Sequence, residues 1–251
     1  MRKNFGKKTW LYPMPVLIVT TYNEDGTPNA MNAAWGGVYD TDQIMLCLSQ
    51  DHRTTGNIRA RGAFTVSIAD AAHAEACDYV GMVSGRKVPD KLARAGLHTE
   101  RAATVDAPVI RELPLALECR LVRFNEDGIC IGDIVNVSVD ESVLGADGVP
   151  DTDRLDAIVF DGIRNLYRHV GKAAAPAFEV GKKLIGVEED SEYHDSTQRQ
   201  KNRCPRHTAG CGIAGSLPAG GCLPERHRVQ RYFHHRRGAE PERGFLCRGG
   251  Y

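Results

Sequence analysis

Apolar and polar positions alternate along much of residues 1–186, in short segments separated by turn signals. Segments of this kind, rich in β-branched and other apolar residues, predict β-strands. Two pairs of segments flank Asp-Gly dipeptides, at residues 25–26 and 127–128, and therefore predict β-hairpins with tight turns. The predicted strands cover six ranges: residues 16–22, 28–34, 43–49, 63–70, 115–124 and 129–139.

The segments with helical character are few and short. Residues 54–61 predict a helix that ends at Gly62, and residues 73–80 and 90–95 predict two more. Glycine and proline within residues 84–89 indicate an ordered loop between the last two helices. Helices therefore have a minor part in the predicted fold.

Apolar side chains fall on both faces of the segment 129–139, which is typical of a strand that curves around a barrel. At least five antiparallel strands are predicted, with only short helices between them. We therefore expect a mainly β fold, an antiparallel β-barrel with short flanking helices, and not a parallel α/β sheet.

The composition changes near residue 187. From there to the end, only 11 of 65 residues are Val, Ile, Leu, Phe or Tyr, which is too few to form a core. This part is rich in Arg, Gly, Cys, His and Pro and has a single Lys, as if a coding sequence were read in the wrong frame. The prediction is a folded domain over residues 1–186 and a disordered tail over residues 187–251.

The charge balance argues against a nucleic-acid partner. Residues 1–186 hold 21 basic and 24 acidic groups, and the remaining residues hold 11 and 8, so neither part is strongly basic. The chain has no charged-then-apolar leader and no apolar run near the roughly 18 residues that cross a bilayer. We expect a cytoplasmic protein with no membrane partner.

Eight cysteines raise the question of disulfides or metal. Four lie singly in apolar segments, where a cysteine usually behaves as a small buried residue, so reduced core thiols are expected at Cys47, Cys77, Cys119 and Cys130. The tail contains a set of residues that resembles zinc ligands, namely Cys204, His207, Cys211, Cys222 and His227. Only one pair in this set has the close spacing of structural zinc sites, so no metal site is predicted.

The candidate chemistry is concentrated in residues 29–58. Small residues at the start of this stretch, among them Ala33 and Ala34, lie around Met31, Asn32 and Trp35 and would let a flat ring approach the backbone. A strand then leads to a helix start, where hydroxyls, a cation and backbone N–H groups suit a phosphate. The predicted phosphate contacts are Ser49, Arg53, Thr54, Thr55 and Asn57.

Structural roles are the alternative for both sets. Thr54, Thr55 and Asn57 are also typical caps and turn formers, and Arg53 is also typical of a solvated helix face. The residues around Asn32 are equally compatible with a strand that enters the core. A ligand that combines a ring with a phosphate is favoured because the two patterns occur together in one short stretch.

Five segments in a fixed order resemble the flavin reductase-like, FMN-binding split-barrel family, particularly its flavoredoxin-type branch. The segments are NAMNAAW, LSQDHRTTGNIRARGAFTVSI, SGRKVPDK, DGICIGDIVNVSVDE and FDGIRNLYRHVGKAAAPAFEVGKKL. The resemblance implies a Greek-key split barrel that forms a homodimer and holds one FMN per subunit at or near the dimer interface. It also implies that the ring is contacted by the segment of Met31, Asn32, Ala33, Ala34 and Trp35. Ser84 and Lys91, in the SGRKVPDK loop, would reach the phosphate or the ring, although Lys91 also suits the first turn of a surface helix.

The activity implied by the resemblance is that of an FMN-dependent oxidoreductase. The flavin would take hydride from NADH or NADPH and pass electrons to a flavin, a protein or a small acceptor. Hydride transfer needs no protein acid, so no catalytic residue is predicted. The chain lacks a G-x-G-x-x-G dinucleotide motif, so a nicotinamide would stack transiently on the flavin. The alternatives are a non-enzymatic FMN electron carrier and a pyridoxamine-phosphate oxidase-like protein.

Overall fold

The computed structural model describes residues 1–184. The strands are, in chain order, β1 (Met14–Pro15), β2 (Leu17–Tyr22), β3 (Pro28–Ala33), β4 (Gly36–Asp40), β5 (Gln43–Cys47), β6 (Ala63–Ile68), β7 (Thr99–Arg101), β8 (Pro108–Ile110), β9 (Leu115–Phe124), β10 (Ile129–Val139), β11 (Ile158–Asp161) and β12 (Leu166–His169). The α-helices are α1 (Arg53–Arg61), α2 (Ala74–Met82), α3 (Lys91–Arg94) and α4 (Thr152–Leu155). Two 3₁₀ turns complete the described elements, at Glu141–Val143 and Lys182–Leu184.

Seven strands form one antiparallel sheet in the order β3-β2-β6-β9-β10-β5-β4. The two Asp-Gly hairpins form as predicted, because Gly26 and Gly128 take up positive φ angles of 81° and 83° at their turns. The predicted mainly β, antiparallel architecture is therefore confirmed. All six predicted strands are present, with ends that differ by no more than two residues.

Strand β2 explains how the sheet separates two layers of core. Its consecutive side chains alternate between the faces, and both faces are buried. Ile18 packs with helix α2 and residues of α3, whereas Val19 packs inside the barrel against residues such as Phe64 and Leu46. Burying each large side chain of this kind contributes about 1.5–3 kcal/mol.

Gly132 on β10 is a position where the barrel interior requires glycine. A Cβ atom there would lie 2.6 Å from Cζ of Phe64, one of the largest fully buried side chains. The absence of a side chain lets this ring fill the interior.

The sequence pattern did not predict β1, β4, β7, β8, β11 or β12. Strand β4 contains two glycines and an aspartate, and it pairs on one side alone, with β5. Strand β11 pairs with β1, which lies more than 140 residues earlier in the chain. Short segments that form strands only through distant partners carry little local signal.

One prediction about the cysteines is wrong. Cys77, Cys119 and Cys130 are buried, and burial raises the pKa of each thiol to about 12. Cys47 is exposed, because alternation along β5 turns Ile44 and Leu46 inward and Cys47 outward.

Within the described residues, Met1–Ala173 belong to one compact unit and the chain from Ala174 belongs to a second. The predicted tail, 187–251, and its zinc-like residues lie outside the described residues, so those predictions stay untested. No helix in residues 1–184 is long and apolar enough to span a bilayer.

Candidate cofactor site

The start of α1 is the first part of the predicted phosphate site. His52 precedes the helix in an extended conformation, and no side chain caps its N-terminus. The N–H groups of the first turn, at Arg53, Thr54 and Thr55, have no acceptor within residues 1–184. Uncapped N–H groups and the positive end of the helix dipole both favour an anion.

Arg53 lies across this helix start. Its Nε donates to Oδ1 of Asn23 at 2.7 Å, and its Nη1 donates to the carbonyl of Gly85 at 3.3 Å. Asn57 donates from Nδ2 to the same Asn23 oxygen at 2.9 Å and to Oγ1 of Thr21 at 3.0 Å. Asn57 and Arg53 therefore share Asn23 as an acceptor. The side-chain N–H groups of Asn57 already donate to Asn23 and Thr21, so they are not free for a phosphate.

The two threonines have different roles. Oγ1 of Thr55 donates to the carbonyl of Ser49 at 2.7 Å, which ties the approach loop to the helix. Oγ1 of Thr54 accepts from Nδ2 of Asn29 at 2.8 Å, and its own hydrogen has no acceptor in the described part of the chain. Thr54 therefore keeps a donor for a phosphate oxygen. Ser49 is exposed and precedes Thr54 by five positions, in the loop before α1.

Lys91 brings a second cation to the same region. The residue is 3% exposed, and its Nζ donates to the carbonyls of Val80 at 2.9 Å and Val83 at 3.0 Å. Burial lowers the pKa of Lys91 to about 8. The pKa of His52 is lowered, mainly by burial and also by the charge of Lys91, although Asp51 acts to raise it. The charge of Lys91 therefore acts on the residue that precedes α1.

A cleft of about 410 Å³ lies on the outer face of β3. It is lined by Asn32, Ala34, Asp78, Gly81, Met82, Phe160 and Tyr167. Apolar side chains form much of its wall, and three polar side chains meet in it, which is the usual composition of a ring-binding pocket. Nδ2 of Asn32 donates to the Tyr167 hydroxyl at 3.3 Å, and this hydroxyl donates to Oδ1 of Asp78 at 2.7 Å.

The residues predicted to contact the ring are divided between the faces of β3 and its continuation. Asn32 and Ala34 line the cleft, whereas Met31 and Ala33 pack into the barrel core. Trp35 is exposed and lines a second cleft of about 890 Å³, together with several residues of the N-terminal segment, among them Phe5 and Trp10. Met31 and Ala33 could therefore contact a ring only through their backbone atoms.

One short segment links the cleft to the phosphate region. Helix α2 ends in the cleft at Gly81 and Met82, and the loop after it passes Gly85, whose carbonyl accepts from Arg53. In this loop Oγ of Ser84 accepts from the N–H of Arg86 at 3.3 Å, and the segment ends at Lys91. A ligand with a ring at one end and a phosphate at the other matches this arrangement.

The structure adds residues that the sequence argument did not assign to the site. Asp78 and Gly81 are three residues apart on α2, so they share a face of the helix. Asn29 positions the hydroxyl of Thr54, and Tyr167 comes from the distant strand β12. The helical spacing of Asp78 and Gly81 was visible in the sequence, whereas for Tyr167 the sequence left a place beside the ring and packing on the barrel equally open.

Comparisons with known proteins agree with this fold. The model of the family described as "Flavin reductase like domain" matches residues 9–157. The structure of flavoredoxin from Desulfovibrio vulgaris (Miyazaki F) is 40% identical with a TM-score of 0.70, and the match covers 72% of this chain and 100% of that chain. Flavoredoxin from Methanosarcina acetivorans is 27% identical with a TM-score of 0.67, and the match covers 73% and 99%.

A curated relative gives a more partial match. An uncharacterized protein of Aeropyrum pernix is 29% identical over 120 residues, which are 47% of this chain. The match spans only 45% of the length of that relative. The structural similarities confirm the predicted antiparallel split barrel.

Proposed function

Because the chain belongs to the flavin reductase-like domain family, we propose that it is an oxidoreductase that binds FMN. Its flavin would accept electrons from NADH or NADPH and pass them to a flavin, a protein or a small acceptor. The observation that carries this proposal is that the segment after the cleft residues Gly81 and Met82 is hydrogen-bonded to two cations, to Arg53 through the carbonyl of Gly85 and to Lys91 through the carbonyl of Val83. The similarity to two flavoredoxins supports it.

The donor set fits the phosphate of FMN. Uncapped N–H groups of α1, the spare hydroxyl hydrogen of Thr54, and the cations of Arg53 and Lys91 would hold the phosphate. The cleft would hold the isoalloxazine ring against Ala34 and Phe160.

FMN, when bound, supplies both hydride acceptance and single-electron transfer. The contribution of this chain is to orient the ring, to set the polarity around it and to limit access of water. Hydride transfer to a flavin needs no protein acid, and we assign none.

We also propose that the protein is a homodimer. Strand β4 is at the edge of the seven-stranded sheet, and this part of the chain exposes Trp35, Val38 and Tyr39. Exposed aromatic and aliphatic side chains on an edge strand are typical of a surface that a partner covers. A cytoplasmic location stays a prediction.

An electron carrier without turnover is the second candidate function, because two of the similar solved structures are flavoredoxins. The test is to load the purified protein with FMN, remove oxygen, and mix it with NADH or NADPH in a stopped-flow spectrophotometer. Bleaching of the flavin band with either nucleotide is expected for the reductase. A bound flavin that neither nucleotide bleaches would favour the carrier, and no bound flavin after FMN addition would contradict both.

A further inference from the structure

The orientation of the Asn32 amide is fixed by groups that can only accept hydrogen bonds. The carbonyl of Cys77 lies 3.2 Å from Nδ2 of Asn32, and a carbonyl cannot donate, so the amide nitrogen must face it. The Tyr167 hydroxyl donates its hydrogen to the carboxylate of Asp78, so towards Asn32 it can only accept. Both N–H donors of Asn32 are therefore committed.

Two further observations support this arrangement. Burial, together with the hydrogen bond to Asp78, raises the pKa of Tyr167, which keeps its hydroxyl protonated and donating. Helix α2 also packs closely on Asn32, since a Cβ atom on Gly81 would lie 2.7 Å from Cβ of Asn32. The side chain of Asn32 is thus held by α2 on one side and by Tyr167 on the other.

The remaining polar atom of Asn32 is its oxygen. Oδ1 has no donor within the described residues, and it is not among their buried unpartnered side-chain atoms, the one example of which is Oγ of Ser67. Because Asn32 lines the cleft, this oxygen is available there as a hydrogen-bond acceptor. A ligand in the cleft must bring a donor to it, since two acceptors would repel each other.

The oxidised isoalloxazine ring carries one ring N–H group, the imide at N3, and its other polar ring atoms are acceptors. We propose that Tyr167 and Asp78 are positioning residues that hold the Asn32 amide with its oxygen towards the cleft, where it accepts from the imide N–H of FMN. This inference rests on the proposed function. It assigns Tyr167 and Asp78 a role in recognising the ring, which they exert through Asn32.

The test compares FMN with an FMN that carries a methyl group on the imide nitrogen. Quenching of flavin fluorescence gives the affinity of the full-length protein for each flavin. The wild type is expected to bind FMN at least tenfold more tightly than the methylated flavin. This preference is expected to disappear in Asn32→Ala and to fall about threefold or more in Tyr167→Phe, where Cys77 alone orients the amide.

Two variants of Asp78 separate positioning from a general structural role. Asp78→Asn keeps an oxygen that accepts from Tyr167, so the preference should be retained, whereas Asp78→Ala should lower it as Tyr167→Phe does. Val149→Ala, at an exposed position that does not line the cleft, is the control, with an unchanged preference. A purely structural role would weaken the binding of both flavins equally and leave their ratio constant.

The outcomes distinguish this inference from the proposed function. A wild type that binds neither flavin would contradict the proposed function, and this inference with it. A wild type that binds both flavins equally, or a Tyr167→Phe variant with the full preference, would overturn the inference alone. Circular dichroism of each variant identifies any that do not fold. If Tyr167→Phe does not fold, Asp78→Ala tests the same positioning role independently.

Discussion

At the scale of a single residue, the surroundings of Lys91 favour the proposed phosphate contact. Its ammonium group is buried and bonded to two carbonyls near the end of α2, and it has no ion pair with a carboxylate in the described residues. Burial disfavours the charged form and lowers the pKa to about 8. A phosphate beside this group would supply the missing negative charge.

We predict that the affinity for FMN decreases as the pH rises from 7 to 9. Lys91 is mostly protonated below its pKa of about 8 and loses its charge above that value, so its attraction to phosphate is lost in this window. Fluorescence titrations across these pH values measure the effect. Lys91→Met should bind FMN about tenfold more weakly at pH 7 and show little dependence on pH, and an equal dependence in both proteins would contradict the assignment.

Gly85 gives a second residue-scale prediction. A Cβ atom at this position would lie 2.2 Å from Oδ1 of Asn29, whose amide positions the hydroxyl of Thr54. Gly85→Ala should therefore displace Asn29 and weaken FMN binding, by about tenfold if roughly one charge-assisted hydrogen bond is lost. Gly171→Ala is the matched control, because nothing lies within 4 Å of a Cβ atom there. Equal FMN affinity of the two variants in fluorescence titrations would disprove this account.

At the scale of elements, strand β9 carries a buried carboxylate that fastens a loop to the barrel. Glu118 is 1% exposed and accepts hydrogen bonds from the backbone of Ala103, from both the backbone and the hydroxyl of Thr104, and from Asn136 on β10. Burial acts to raise the pKa of Glu118, but these hydrogen bonds outweigh it and hold the pKa below its ordinary value of 4.5.

We predict that Glu118→Gln lowers the free energy of unfolding by about 3 kcal/mol at pH 7, because an amide N–H would face groups that are donors themselves. A carboxylate with a lowered pKa stabilises the fold fully above pH 4.5, and this contribution is lost as the pH falls through the lowered pKa. The difference between wild type and variant should therefore shrink below pH 4.5. Urea unfolding of both proteins at pH 7 and at a pH below 4.5 measures this difference.

The control for this prediction is the exposed Glu126, in the turn of the second hairpin. Glu126→Gln should leave the free energy of unfolding within about 0.5 kcal/mol of the wild type at both pH values. An effect of Glu118→Gln as small as that of the control would show that the loop does not depend on this carboxylate.

The elements themselves were predictable where their signal is local. The two hairpins needed only alternating apolar residues and an Asp-Gly turn, and α1 needed a helical stretch that ends at Gly62. Strand β4 was missed because its glycines and polar residues resemble a loop until β5 is placed beside it. Strands β11 and β12 were missed because their sheet is completed by β1, which is far away in the sequence and gives no local signal.

At the scale of the whole molecule, the edge of the main sheet is the surface on which the proposed homodimer depends. Val38 on β4 is 79% exposed although it is apolar. We predict that Val38→Asp converts the dimer to monomer in sedimentation equilibrium, because a charge in an apolar interface is costly to bury. If the second copy encloses the flavin, the monomeric Val38→Asp variant should also bind FMN more weakly.

Val149→Asp is the control for the dimer, since Val149 is also an exposed apolar residue but lies outside the seven-stranded sheet. This variant should keep the mass of the wild type. If Val38→Asp also keeps it, the second copy binds elsewhere or not at all.

The sequence by itself determined the class of fold and the position of the two candidate stretches, one for a ring and one for a phosphate. Period-two alternation and Asp-Gly turns are local, so the barrel strands could be predicted, and residues 29–58 hold both the ring stretch and the helix start because they follow each other along the chain. Only the tertiary structure decided which side chains face the ligand. It turned Asn32 and Ala34 towards the cleft and Met31 and Ala33 towards the core.

The tertiary structure also brought Tyr167 to Asp78 and Asn32, 89 and 135 residues away along the chain. The physical reason is that a hydrogen-bond network depends on distances and directions set by packing of remote elements, whereas secondary structure depends largely on neighbours along the chain. The stretch from Asn29 to Ile58 thus holds the candidate contacts for a ring and a phosphate, and folding placed Tyr167 and Asp78 beside Asn32.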